Sequence, residues 1–150
     1  MEMRRRLILL FAAALIVVIV FLYPSMGCKI SQDQIAASPV KPFVVSTPEG
    51  YAVGLTLNLT NLTDCELTAD SIRVSLGTIT YPDGSVVAVN ESYSEPLQTS
   101  LATGQTRMFS YSFESYFTYR PAKLVLKIEV SFGEAGTVTV FDGELEIPAT

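Results

Sequence analysis

Between residues 51 and 147 the apolar side chains fall repeatedly on every second position, a period that specifies strands with one buried face. Residues 51–61 place Val53, Leu55, Leu57 and Leu59 on one side and Thr56, Asn58 and Thr60 on the other. Residues 70–79 set Ile72, Val74 and Leu76 against Arg73 and Ser75. In residues 104–113 the rings Phe109, Tyr111 and Phe113 alternate with Met108, Ser110 and Ser112, so the aromatic face is the one to bury. Residues 123–132 point Leu124, Leu126, Ile128, Val130 and Phe132 inward, with Lys123, Lys127 and Glu129 outward. A Pro-bounded strand at 40 and 43–46, a return strand at 85–90 and two closing strands at 137–141 and 144–147 complete the set.

Turn chemistry separates these runs. Tyr81-Pro82-Asp83-Gly84 puts Pro second and Gly last, as a type I hairpin requires, and Gly133-Glu134-Ala135-Gly136 turns the chain again. Residues 91–103 read as a looser connection. Seven or eight short strands predict an all-β fold, a single immunoglobulin-like two-sheet sandwich with Greek-key connections over residues 40–150. An up-and-down barrel is the weaker alternative, since few inward positions alternate small with large.

The N-terminal region follows different rules. Residues 1–6 form a basic flank with Arg4, Arg5 and Arg6, and the 17 residues 7–23 carry no charge. As a helix they would extend roughly 25 Å, the short end of a bilayer span and longer than a cleavable apolar core. This predicts one N-terminal transmembrane helix, a signal anchor, with the lipid bilayer as partner through residues 7–23. The arginines then lie in the cytoplasm and the sandwich outside it, with residues 24–39 as a spacer. Two alternatives stay open. Cys28 follows Gly27 as a lipid-accepting cysteine does, although Ser25 and Met26 fit a lipobox poorly. Ser25 and Gly27 also give the small-x-small spacing of a cleavage site.

Composition limits the partners. From residue 29 onward seven basic and fourteen acidic side chains leave a net charge of −7, which excludes nucleic-acid binding through phosphate neutralisation. Asn58, Asn61 and Asn90 each begin an N-glycosylation triplet. Cys28 and Cys65 are too few for a disulfide scaffold, though a single bridge between them would tie the spacer to the domain and preclude lipidation of Cys28.

Residues 53–76, VGLTLNLTNLTDCELTADSIRVSL, resemble the opening of the late-embryogenesis-abundant type-2 domain, also called the water-stress and hypersensitive-response domain. Asn61-Leu62-Thr63-Asp64 occupies the place of that family's Asn-Pro-Asn turn, with Leu62 departing from its Pro. Residues 97–106 are similar to the family's entry into a later strand. The resemblance implies a seven-stranded sandwich with a non-enzymatic role, and it transfers no functional residues.

The chain contains no histidine, which removes Ser-His and Cys-His nucleophilic systems and histidine metal sites. Asp64, Glu66 and Asp70, and again Asp142, Glu144 and Glu146, cluster in sequence, yet neither group follows a calcium-loop pattern and both read as solvated acidic edges. No enzyme activity, cofactor or metal is expected. The candidate site is Phe113 to Pro121, where Tyr116, Phe117, Tyr119 and Arg120 concentrate the side chains that dominate binding hot spots. The same rings could instead cap the end of the sandwich core. The expected function is a membrane-tethered interaction or accessory domain for a protein partner in the cell envelope. Alternatives are a surface-filament subunit, or a lipoprotein anchored through Cys28 that binds a solute or glycan.

Overall fold

The computed structural model describes residues 3–8, 10 and 28–149. Helix among the described N-terminal residues is confined to residues 3–8 and 10, exposed throughout and carrying Arg4, Arg5 and Arg6. Among the described residues no helix is long and apolar enough to cross a membrane. The expected transmembrane element and the membrane-anchored placement built on it are corrected accordingly. Three of the six described residues 3–8 are arginine, a side chain that the hydrocarbon core of a bilayer accepts only at high cost. The remainder of the 7–23 segment lies outside the described residues.

Eight strands follow: β1 (Ile35–Ala37), β2 (Lys41–Thr47), β3 (Gly50–Asn61), β4 (Leu67–Thr80), β5 (Val86–Leu101), β6 (Thr106–Ser112), β7 (Lys123–Ser131) and β8 (Thr137–Glu146). They form two antiparallel sheets packed face to face, the all-β sandwich that the alternation demands. In the first sheet β3 pairs with β6 on one side and with β1 and β2, end to end, on the other. The second runs β5-β4-β7-β8. Around the sandwich β3, β6, β5 and β4 lie in Greek-key order, with β5 and β6 facing each other across an open side.

The period-2 reading assigns the core correctly. Val53, Leu55, Leu57 and Leu59 of β3 meet Ile72, Val74 and Leu76 of β4 and Leu124, Leu126, Ile128 and Val130 of β7, all buried. Bulges break the period, one of them in mid-β4. Gly77 is an extra residue of β4 relative to β7, since Leu76 pairs with Leu126 and Thr78 with Val125, so Ile79 instead of Thr78 turns inward. The Tyr81–Gly84 turn closes as expected, with the Gly84 N–H donating to Tyr81 O at 2.9 Å.

Two regions differ from the expectation. The loose connection at 91–103 is strand, continuing β5 to Leu101, and its outer position leaves most of its side chains exposed. Residues 28–39, read as a spacer, are seated on the sandwich. Cys28 is bonded to Cys65, Ile30 N–H donates to Ala135 O at 3.0 Å, and Gln32 bonds both N–H and C=O of Thr139.

Candidate functional site

The segment joining β6 to β7 lies across one end of the open side. Its path depends on a glycine. Tyr51 and Phe117 exchange two backbone hydrogen bonds of 2.8 Å, and beside them a Cβ on Gly50 would stand 2.6 Å from Phe117 O. Gly50 also holds φ +137°, a conformation that L side chains rarely adopt. The segment thus lies flat against β3, and the Phe117 ring meets Phe113 at 5.6 Å, edge to face.

Phe113 is the hub of this end. Its ring also stands edge to face with Tyr111 at 5.1 Å and Tyr93 at 5.8 Å, arrangements that favour the quadrupoles of all four rings. Around them opens a cleft of about 220 Å³ floored by Leu76, Ile79, Val89, Phe113 and Phe117, with Tyr116 on its lip. Tyr93 and Glu114 continue into a second recess of about 290 Å³, between β5 and β6, which adds Glu95, Ser110, Tyr111 and Ser112. No basic residue lines either recess.

The electrostatics follow from this lining. The Tyr93 hydroxyl donates to Glu91, and that bond, with burial, raises its pKa above the ordinary tyrosine value. Burial first, and then the negative potential of Tyr93, Glu95 and Glu114, pushes the Tyr111 hydroxyl up to about 12. The open side of the sandwich is therefore aromatic at its floor and negative at its rim.

The four residues singled out in the sequence divide between two places. Tyr116 is half exposed on the lip, and Phe117 anchors the segment from beneath. Tyr119, 68% exposed, instead meets Tyr81 edge to face at 6.0 Å, over a separate hollow lined by Pro82, Asp83, Val87 and Arg120. The Arg120 guanidinium is committed to the fold, donating from Nε to Pro148 O at 3.1 Å and from a second nitrogen to the same oxygen. Tyr93 and Glu95 were not singled out, and Glu114 lies within the candidate segment 113–121 without having been named. The signal for the first two was a second period of two, Glu91, Tyr93, Glu95 and Leu97, inside the stretch read as loose.

The residues named for modification differ in their surroundings. Cys28 Sγ is bonded to Cys65, so the sulfur that acylation needs is occupied. Asn58 and Asn90 are exposed. Asn61 is fully buried, its amide donating to Cys65 O at 2.8 Å and Leu101 O at 2.9 Å while Oδ1 accepts from the Thr63 N–H and hydroxyl.

No family model and no curated protein matches the sequence. In fold, the chain is similar to the Northeast Structural Genomics Consortium target SoR45, at 13% identity and a TM-score of 0.51 over 79% of this chain and 90% of that one. It also matches a protein assigned as ApaA from Bordetella pertussis, at 20% identity and a TM-score of 0.49 over 83% of this chain and all of that one. A third match is Spo0M, a sporulation control protein from Bacillus subtilis, at 12% identity and a TM-score of 0.44 over 77% of this chain and 50% of that one. The likeness is one of fold.

Proposed function

We propose that this chain is a non-catalytic binding domain that receives a polypeptide segment in the cleft beside Phe113 and Tyr116. One observation carries the reading. A cleft of about 220 Å³ reaches down to the nearly buried side chains of Leu76, Ile79 and Phe113 and the partly buried Val89, beneath a half-exposed tyrosine and a polar rim. An apolar floor, amphipathic rings and a wet rim are the anatomy of a recognition surface. The side chains offer little for catalysis. The sequence has no histidine, and Ser115 in the cleft has no basic residue in the lining to activate its hydroxyl. The resemblance to the late-embryogenesis-abundant type-2 domain, which implies a non-enzymatic role, agrees with this reading.

The test is selection of a random peptide library on the oxidised full chain. Enriched peptides are expected to lose at least tenfold in affinity for Tyr116→Ala, whose exposed ring contributes little to the fold. Peptides that bind the variant as well as the original, or failure to enrich any, would overturn the proposal.

A further inference from the structure

The open side holds more than a cleft. Among the described residues β6 pairs only with β3, and its other edge faces the recess. The ladder shows which groups are left free. Phe113 N–H donates to Val53 O and Asn61 N–H to Gln105 O, so the odd-numbered residues of this stretch point their backbone groups at β3. By the alternation of an antiparallel pair, Met108, Ser110 and Ser112 direct N–H and C=O outward.

The other edges are interrupted or partly covered. β5 carries Pro96, which has no N–H, and bulges twice against β4, once beside Asn90 at φ 52°. β8 is covered where Gln32 takes both backbone groups of Thr139. β1 has three residues, and Pro39 and Pro42 interrupt the β1–β2 edge. β6 has neither proline nor bulge over its seven residues. Its single charge, Arg107, lies at the end away from the cleft.

We infer that β6 is a docking edge, and that its occupant is an extended cationic segment of a partner protein added antiparallel or parallel as a further strand. The inference rests on the binding-domain reading and specifies its ligand. Main-chain bonds to Met108, Ser110 and Ser112 supply affinity, as in other cases of strand addition. Charge chooses the partner. Alternate side chains of an added strand enter the recess, where Glu95 and Glu114 stand without a basic neighbour in the lining. Burial chiefly, and then Tyr93 and these same two carboxylates, raises the Tyr111 hydroxyl beside them. An acidic segment meets repulsion there, and lysine or arginine at alternate positions meets two carboxylates.

The test uses the oxidised full chain and an acetylated peptide Lys-Val-Lys-Thr-Lys-Val-Lys. Three controls accompany it: the same peptide with alternate amides N-methylated on either set, a version with glutamate replacing lysine, and the double charge reversal Glu95→Lys with Glu114→Lys. Amide exchange of Met108, Ser110 and Ser112, fast in the free chain, is expected to slow at least tenfold on binding. N-methylation of one amide set should cost at least tenfold in affinity, and the charge reversal should switch preference to the glutamate peptide. Equal binding by both N-methylated peptides overturns strand addition while leaving the binding cleft intact. Binding unaffected by the charge reversal overturns the cationic assignment. If library-selected peptides bind through Tyr116 but this peptide does not bind, the inference fails alone. If neither kind binds, the underlying reading fails with it.

Discussion

Replacing Asn61 tests how the corner joining the two sheets is held. Asn61 ends β3, and its side chain satisfies the Cys65 carbonyl ahead of β4 and the Leu101 carbonyl at the end of β5. Its oxygen accepts from the Thr63 N–H at 2.9 Å and from the Thr63 hydroxyl at 2.6 Å. Asn61→Ala deletes all four bonds inside a fully buried site. At about 1 kcal/mol net per hydrogen bond, the loss comes to about 4 kcal/mol. A water admitted into the vacated space would recover part of it, and stranded buried carbonyls would add to it, so a range of about 3–5 kcal/mol is expected. Asn61→Asp keeps both acceptor bonds but turns a carboxylate toward two carbonyl oxygens. It should be at least as costly at neutral pH and less costly in acid, where protonation restores a donor. Urea unfolding followed by far-ultraviolet circular dichroism reads these differences, since the chain has no tryptophan. A loss below about 1 kcal/mol for Asn61→Ala, with an unchanged denaturant slope, would refute the reasoning.

Three further outcomes follow from the same geometry. The Cys28–Cys65 bridge spans a sequence separation of 37, for which loop-closure entropy gives about 4 kcal/mol; the Cys28→Ser, Cys65→Ser double variant should lose that much by urea titration, and a loss under about 1 kcal/mol would contradict it. The Tyr111 hydroxyl titrates higher in the fold than in the unfolded chain, so its contribution is complete below about pH 10 and fades as pH rises toward about 12; ultraviolet titration should show late tyrosine ionisation that Tyr111→Phe reduces, and Tyr111→Phe should flatten stability over that interval. Gly50→Ala combines strain at φ +137° with a contact of 2.6 Å to Phe117 O; it should cost about 1–3 kcal/mol and loosen the 113–118 segment, read as faster exchange at the Phe117 amide, and unchanged exchange there would count against the proposed role.

The central strands were legible because each buries one face only. Val53 to Leu59 on β3 and Leu124 to Val130 on β7 sit opposite a full sheet, so the demand for apolar side chains repeats every second residue. β5 lies at an edge with little to cover its inner face. Glu91, Tyr93 and Glu95 satisfy strand geometry there without the apolar signature, and the stretch reads as a loop. The cleft was illegible for a related reason. It arises where β5 and β6 face each other across the open side, and Tyr93 and Phe113 are twenty residues apart with no local pattern to join them. Arg120 fits a hot spot by composition, and its bond to the Pro148 carbonyl was not legible because that partner comes from the other end of the domain. The run at 7–23 drew its reading from its length, its lack of charge and its arginine flank, and of that run only residues 7, 8 and 10 are described.

Chemical-shift mapping of a library-selected peptide on the full chain tests the central claim most directly. Shifts at Tyr93, Phe113, Glu114 and Tyr116, falling away toward β1 and β8, are predicted. Shifts confined to the β1–β8 side, or to the Tyr81–Tyr119 hollow, would contradict the assignment of the cleft as the binding face.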